Sequence, residues 1–409
     1  MNESVQSLLK DPNERCKIII ERKLPPLLAS SFYKWHGEKY KQEPTPLPLI
    51  LEMISGKISG EVLVINNVDI FLALQQLRDR EEIPQEYISH DTKLTLLTDT
   101  EFKIPAEYGS VIKVDNLNEP VKIDMMGKKF DVVLGNPPYQ TETGSTRSKA
   151  IWPEFVKLAA DCTADGGYVS LIHPNAWRLG KGKGLDKLHV HLKDFYMQYL
   201  VVGDYDTGKK YFGSKVGTTA DWYVAQKIKV EGGLTTVVSS VDDTITEVNI
   251  KVNKFIPTCN ISHCLEFLAS EDEETVEYTT GRYHSQKPFY SKEQVGDFKY
   301  LVVDSIQQSH DGAKLHWSST DERGDYGVSK AICSNGGGAF AIDDSEGRYG
   351  LSQFAYGIVD TPENVPLIVK ALNSDKFKQL MQDLGAGNWI YLPNALRLLK
   401  KDFYKKFQD

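Results

Sequence analysis

The chain has 409 residues, of which 41% are hydrophobic and 25% are charged, and its formal net charge is -8. This length allows two domains, or three, with ample core, and no apolar run approaches the 18 residues that a membrane-spanning helix needs. The negative charge argues against a uniformly basic surface for nucleic acid, although a local basic cleft is compatible with it. A polar N-terminus without a signal peptide predicts a cytoplasmic protein.

The five cysteines do not have the spacing of a zinc site. They are Cys16, Cys162, Cys259, Cys264 and Cys333. Cys259 and Cys264, with His263 between them, suit neither a zinc knuckle nor a redox pair. We therefore predict reduced thiols and no bound metal.

The first recognisable pattern follows a helical N-terminal segment predicted for residues 1–42. Thr45-Pro46 precedes an apolar stretch, which is typical of a helix N-cap with proline in the first turn. Residues 61–74 then predict a strand, a turn and a helix, the unit in which Rossmann-like folds hold a cofactor. The turn, Asn66-Asn67-Val68-Asp69, lacks the glycines usual at this place, but asparagine tolerates unusual backbone angles better than most residues.

Two further predicted strands end in polar side chains. Residues 94–99 end at Asp99, where a carboxylate could bind a ribose diol. Residues 110–116 end at Asp115-Asn116, a pair suited to the edge of an adenine ring. Each of these residues could equally be an ordinary turn former at a strand end.

A fourth strand, residues 130–134, runs through Gly135 into Asn136-Pro137-Pro138-Tyr139. An exocyclic amine conjugated to an aromatic ring is a poor nucleophile, and oxygens that accept its two hydrogens favour a more nucleophilic, pyramidal nitrogen. The Asn136 side chain and a proline-flanked backbone carbonyl would be such acceptors, and Tyr139 offers a flat face to a flipped-out base. The simpler alternative is a Pro-Pro turn followed by a surface tyrosine.

These motifs, in this order, resemble the amino-methyltransferases that modify adenine N6 in DNA, in particular the Type II modification methylases of the Eco57I kind. The resemblance continues through a helix at 151–158, a strand at 165–175 and a hairpin at 211–224. It implies an α/β fold: a Rossmann-like, S-adenosylmethionine-dependent methyltransferase domain with a mostly parallel seven-stranded sheet. A C-terminal α+β target-recognition domain would follow.

The resemblance also implies a role for each motif residue. Asn136, Pro137, Pro138 and Tyr139 would be catalytic. S-adenosylmethionine would be bound by Thr45, Pro46, Asn66, Asn67, Asp99, Asp115, Asn116 and Asn136. The target base would stack on Tyr139 and on Phe212, with Tyr211 as the alternative to Phe212.

A basic, glycine-rich segment lies between the fifth strand and the hairpin. Arg178, Lys181 and Lys183 are candidate contacts to DNA phosphates, although a mobile surface loop fits the same composition. His173 is interpreted as structural, because methyl transfer to a polarised amine needs no histidine base.

The predicted domains are residues 1–42, a catalytic domain at 43–228 and a target-recognition domain at 229–409. The predicted function is site-specific methylation of double-stranded DNA in a bacterial cytoplasm, by a bacterial or phage protein, with a cognate restriction endonuclease as a further partner. Two alternatives stay open: a methyltransferase acting on a protein glutamine amide, and a catalytically silent DNA-binding or decoy protein.

Overall fold

The structure is a computed structural model. It describes residues 58–79, 88–99, 109–141, 149–179, 187–212, 218–253, 255–270, 272–307, 312–334, 340–385 and 392–408, with Thr45, Ile50, Met53, Glu101 and Ala106. The predicted N-terminal segment 1–42 and Pro46 lie outside these residues. The described chain divides into two compact units, 1–249 and 250–409.

The first unit is built on a nine-stranded sheet in the order β3-β2-β1-β4-β5-β7-β6-β8-β9. The strands, in chain order, are β1 (Glu61–Ile65), β2 (Lys93–Thr98), β3 (Ser110–Lys113), β4 (Phe130–Gly135), β5 (Thr163–His173), β6 (Tyr196–Val202), β7 (Asp221–Gln226), β8 (Thr235–Ser239) and β9 (Ile245–Val248). Strands β1 to β5 pair in parallel, and so do β6 and β8. Strand β7 is antiparallel to both neighbours, and β9 is antiparallel to β8.

Helices connect these strands. They are α1 (Val68–Asp79), α2 (Trp152–Cys162), α3 (Lys187–His191) and α4 (Tyr205–Phe212), with short 3-10 turns at Pro120–Lys122 and Asn175–Leu179. Proline lies in the first turn of α2, where a missing backbone N–H costs nothing. The apolar side chains of α1 pack with those of the central strands in one buried core. The predicted α/β class with a mostly parallel sheet is confirmed, and β8 and β9 extend the predicted seven strands to nine.

The boundary between the units lies later than the predicted residue 228. Strand β8 pairs with β6 along residues 199–202, and β9 pairs with β8. These two strands therefore complete the sheet of the first unit, and the division falls between Asn249 and Ile250. The shift towards Thr and Val after residue 228 marks new strands rather than a new domain.

The second unit combines two four-stranded sheets with helices. One sheet has the order β10-β17-β14-β15 and the other β11-β13-β12-β16. Its strands are β10 (Tyr278–Thr280), β11 (Tyr290–Ser291), β12 (Tyr300–Gln307), β13 (Gly312–Ser318), β14 (Lys330–Ser334), β15 (Ala341–Asp344), β16 (Gly350–Leu351) and β17 (Ala355–Val359). The helices are α5 (Ile261–Leu265), α6 (Val365–Asn373), α7 (Asp375–Asp383) and α8 (Leu392–Leu396), followed by a 3-10 turn at Phe403–Phe407.

Local signals explain the helical end of this unit. The Ser374 hydroxyl accepts a hydrogen bond from the Phe377 backbone and so caps α7.

The two sheets share a small core of Val303, Ile332, Leu351 and Ala355. This arrangement is the predicted α+β architecture.

Three findings concern the described part of the chain. No described helix is long and apolar enough to cross a bilayer. Cys162, Cys259, Cys264 and Cys333 are free thiols. Within the same residues, no group of three or more His, Cys, Asp or Glu side chains could hold a metal ion.

Candidate active site

The direction of chain progression across the sheet reverses between β1 and β4. From β1 the chain proceeds to β2 and β3 on one side, and from β4 to β5 on the other. Ligands of open α/β sheets bind at such a switch point, beyond the carboxyl ends of the strands. Asn66-Asn67 follow β1 and Asn136 follows β4, so two of the predicted motifs flank this point.

Asn136-Pro137-Pro138-Tyr139 form the corner after β4, and hydrogen bonds hold this corner on two sides. The Tyr139 hydroxyl donates to Asn136 Oδ1 at 2.9 Å. The Asn136 backbone N–H donates to Asn67 Oδ1 at 2.5 Å. Burial of the phenol, with a smaller contribution from the Asp221 carboxylate, raises the pKa of Tyr139 above its ordinary value, so the hydroxyl remains a proton donor.

Close approach of the two strand ends requires Gly135. A Cβ atom at this position would lie 2.6 Å from the Ile65 carbonyl oxygen, which is backbone and cannot move aside cheaply. The glycine before Asn136-Pro137-Pro138-Tyr139 therefore keeps β1 and β4 in contact at the point where their loops leave the sheet.

The turn after β1 keeps a tight shape without glycine. Asn66 has φ of 60°, in the left-handed region that asparagine tolerates. Its backbone N–H donates to the Leu97 carbonyl at 2.7 Å, and the Asn67 carbonyl accepts the first helical bond of α1, from Phe71, at 3.0 Å. The Asn-Asn sequence therefore supplies the turn that glycines were expected to supply.

Thr45 is attached to the beginning of α1. Its backbone N–H donates to Asp69 Oδ2 at 2.6 Å, and both residues are buried. From the sequence, Asp69 is interpreted only as part of the turn at residues 66–69. Its position among apolar neighbours, Val68 and Ile70, was the available signal that its carboxylate has a buried partner.

The ends of β2 and β3 are joined through Asp99. Asp99 is half-buried and its Oδ2 accepts the Leu117 backbone N–H at 3.0 Å. Asp115 and Asn116 are exposed on the intervening loop, and Asn116 Oδ1 accepts the Asn118 N–H at 2.8 Å.

This donor and acceptor set fits S-adenosylmethionine. The carboxylate of Asp99 stands at the end of the strand next to β1, as a ribose diol requires. The exposed side chains of Asp115 and Asn116 provide hydrogen-bonding groups at the end of the next strand.

Arg178, a predicted DNA contact, is instead buried. Arg178 and Asp221 are both 0% exposed, with Arg178 Nε 2.9 Å from Asp221 Oδ2. The Trp177 indole donates to the same Oδ2 at 2.9 Å, and the Gly203 N–H donates to Oδ1 at 3.1 Å. Burial raises the pKa of Asp221, and the guanidinium opposes that shift. Because a phosphate contact needs an accessible cation, Arg178 is better explained as part of this buried cluster.

Sequence reasoning missed the Arg178–Asp221 pair. The signal was present in Asp221 itself, an acid at the start of a strand whose other residues are mostly apolar. A buried carboxylate there requires a cation or several hydrogen-bond donors. The pairing could not be deduced, because 43 residues separate the two partners.

His173, at the end of β5, lies in an aromatic environment. Its ring stacks on Trp152 with centroids 4.6 Å apart and meets Trp177 and Tyr223 edge-on. The His173 Nδ1 contacts the Pro174 carbonyl oxygen at 3.1 Å. Burial lowers the pKa of His173 to about 4, so the ring is neutral near pH 7.

Phe212 does not occupy the rim position expected of a base-stacking ring. It ends α4 and is buried in the same core as Ala220 and Trp222. Tyr211 packs edge-on against Trp222, with centroids 5.5 Å apart. The segment predicted as a hairpin begins as a helix, and this is why Phe212 turns into the core. Lys181 and Lys183 lie outside the described residues.

The strand order, with the antiparallel β7 between β5 and β6, agrees with the predicted Rossmann-like methyltransferase fold, and the Asn-Pro-Pro-Tyr corner lies at its switch point. Residues 53–208 match the family model described as Eco57I restriction-modification methylase. This segment, a little more than a third of the chain, is therefore similar to the Eco57I restriction-modification methylases.

Several solved structures are similar to the chain at low identity. The Type IIL restriction-modification enzyme MmeI aligns with 94% of this chain and 66% of its own, at 11% identity and a TM-score of 0.45. The type IIG restriction endonuclease BpuSI aligns with 85% of this chain and 58% of its own, at 10% identity and a TM-score of 0.37.

A type I restriction-modification methyltransferase subunit from Streptococcus thermophilus aligns with 51% of this chain and 50% of its own, at 13% identity and a TM-score of 0.35. The chain thus spans between half and two thirds of these three proteins. No curated protein sequence matches it.

Proposed function

We propose that the protein transfers a methyl group from S-adenosylmethionine to N6 of an adenine flipped out of double-stranded DNA. The observation that supports this most directly is the Asn-Pro-Pro-Tyr corner, in which Tyr139 directs its hydroxyl to Asn136 Oδ1. A carboxamide oxygen has two acceptor lone pairs, so one can accept the Tyr139 hydroxyl and the other an amine hydrogen. Held in this way, Asn136 is preorganised for a substrate amine.

Each residue of the corner has a separate role in the proposal. Asn136 Oδ1 and the Pro137 carbonyl accept the two amine hydrogens, which favours the pyramidal nitrogen of the transition state. The Tyr139 ring stacks on the extruded base. Bound S-adenosylmethionine would supply an activated methyl group, held by Asp99, Asp115, Asn116 and the turn at Asn66.

The second unit is proposed to select the DNA site, with a cognate restriction endonuclease as a further partner. Two of its arginines are suited to DNA contact. Arg323 stacks on Phe289, with the guanidinium carbon 3.9 Å from the ring centroid, and the Arg282 guanidinium lies against Gly324. Both arginines are exposed, and within the described residues neither forms an ion pair. A guanidinium immobilised by stacking remains able to bind a phosphate or a guanine edge.

The test is methyl transfer from labelled S-adenosylmethionine to double-stranded DNA, followed by identification of the modified base. Asn136→Ala should lower turnover about 100-fold to 1,000-fold and leave cofactor and DNA affinity nearly intact, because the lost oxygen acts mainly on the transition state. Asn364→Ala, in the second unit, is a matched control and should retain turnover. Near-normal turnover by Asn136→Ala would reduce the corner to a simple turn and end the proposal.

A further inference from the structure

Asn67 follows the cofactor strand, yet its side chain contacts the catalytic loop. Its Oδ1 accepts the Asn136 backbone N–H at 2.5 Å, across a sequence separation of 69 residues. Because a backbone N–H can only donate, the atom facing it must be the side-chain oxygen and not the amide nitrogen. Asn67 is 3% exposed, so little water can replace this bond.

The direction of this side chain is unusual for its position. Asn67 immediately precedes α1 and its carbonyl accepts the first helical hydrogen bond, so it occupies the N-cap. An asparagine there ordinarily turns its oxygen back to an N–H of its own helix. Here the oxygen instead crosses from the end of β1 to the end of β4.

Gly135 lets the ends of β1 and β4 approach closely enough for the Asn67 side chain to reach Asn136. Gly135 lies between the two groups, and a Cβ on it would be 3.2 Å from Asn67 Oδ1 as well as 2.6 Å from the Ile65 carbonyl. Without a side chain at 135, the two strand ends come close enough for one carboxamide to span them. A glycine at position 67, the residue type expected in a cofactor turn, could not make this bond.

We infer that Asn67 is a positioning residue for the catalytic loop: it holds the main chain of Asn136 while Tyr139 holds the side chain. This inference rests on the proposed function, because Asn136 matters chemically only if it polarises an amine. It reassigns Asn67 from the cofactor contacts predicted from the sequence. Removing its oxygen leaves the Asn136 N–H without its acceptor and lets the loop leave its productive geometry.

Three variants test this role. At saturating cofactor, Asn67→Ala should lower kcat about 10-fold to 100-fold, the range expected when a buried donor loses its acceptor, and the KM for S-adenosylmethionine should stay within about twofold. Asn67→Asp keeps an oxygen at the same place and should recover most of kcat. Asn364→Ala, an asparagine of the second unit whose side chain donates to Asp360, is the control and should leave kcat near wild type.

Hydrogen–deuterium exchange gives a readout that does not depend on turnover. Peptides covering residues 130–140 should exchange faster in Asn67→Ala than in wild type, and Asn67→Asp should restore protection, while the rest of the sheet and the melting temperature change little. Should Asn67→Ala fail to fold, Asn67→Ser supplies the same comparison, because its hydroxyl is too short to reach the Asn136 N–H.

The outcomes separate the two claims. A weakened cofactor affinity with unchanged kcat would make Asn67 a cofactor contact and overturn the inference, as would unchanged exchange of the 130–140 peptides. If wild-type protein transfers no methyl group but the exchange pattern holds, the proposed function fails and the link between Asn67 and the loop stands.

Discussion

Tyr139 has two separable uses at the corner after β4: its ring is a flat face, and its hydroxyl holds Asn136. Considered as a stacking face alone, the residue could be replaced by phenylalanine without consequence. The 2.9 Å hydrogen bond to Asn136 Oδ1 adds a cost to that replacement. A single neutral hydrogen bond typically contributes about 0.5–1.5 kcal/mol, which is roughly 2-fold to 10-fold in rate.

We therefore expect Tyr139→Phe to retain DNA affinity and to lose about 2-fold to 10-fold in turnover. Tyr139→Ala should lose more turnover and also bind DNA less well, because the extruded base loses its stacking partner. Steady-state kinetics combined with fluorescence of a 2-aminopurine at the target position would separate the two. Equal DNA affinity for both variants would argue that the ring does not contact the base.

The dependence of the free energy of unfolding on pH tests whether the His173 ring is buried. Its pKa of about 4 lies below the ordinary value of 6.5, so between these values the unfolded chain binds a proton that the folded chain does not. Stability therefore falls as the pH drops from about 6.5 towards 4, by at most about 3 kcal/mol from this residue.

Phenylalanine at 173 keeps a flat ring against Trp152 and removes the titrating group. Urea unfolding of wild type and His173→Phe at pH 7 and pH 4.5 should give a smaller pH-dependent loss of free energy for the variant. Parallel losses in the two proteins would indicate that His173 is accessible to protons in the folded state.

At the scale of elements, the basic segment after β5 contains one residue that the structure places in the core, Arg178, and two lysines that lie outside the described residues. Arg178, in the 3-10 turn at Asn175–Leu179, forms the buried pair with Asp221. Lys181 and Lys183 stay as candidate phosphate contacts predicted from the sequence. Arg178 and the two lysines should respond differently to substitution.

Replacing both lysines with alanine should weaken binding to all DNA sequences alike. The slope of log binding constant against log salt concentration, here called the salt slope, should fall in magnitude by roughly two, at about 0.9 for each phosphate contact. Arg178→Met should leave the slope unchanged. It should destabilise the fold by about 3–5 kcal/mol, because the buried Asp221 carboxylate loses its cation. Salt-dependent DNA titrations and urea unfolding measure the two effects. If Arg178→Met alone lowers the salt slope, Arg178 contacts a DNA phosphate after all.

The elements that sequence patterns predicted well are those whose local signals are complete. Strand β4 has apolar residues and then Gly135-Asn136-Pro137-Pro138, which stops it, and the unit of β1 and α1 has apolar strand and helix segments on either side of the Asn66-Asn67 turn. Phe212 was misplaced because an aromatic residue near a strand start looks the same on a hairpin and at the end of a helix. The Asn67–Asn136 bond was beyond prediction, since it depends on which strands become neighbours.

For the molecule as a whole, the sheet needs more of the chain than the matched segment 53–208 provides. That segment ends before β7, the strand that pairs with both β5 and β6. Without it, β5 would present an open edge and β6 would lose a neighbour on one side.

We expect residues 1–249 to unfold cooperatively as an isolated fragment and residues 1–208 to lack a cooperative transition. A fragment ending at 228 should be intermediate, because it has β7 but not β8 and β9. Circular dichroism during urea unfolding distinguishes the three. A cooperative 1–208 fragment of equal stability would mean that β7 to β9 are dispensable additions.

The position of β7 also dictates an order of events as the chain leaves the ribosome. Strand β6 is made before β7, yet within the sheet it can reach β5 only through β7. During synthesis, β6 must therefore wait, with its apolar residues uncovered, until β7 emerges, and β6 and β7 can first form an antiparallel pair that then docks onto β5. During this interval the nascent chain has uncovered apolar surface and an unpaired strand, which makes it prone to aggregation and a substrate for chaperones.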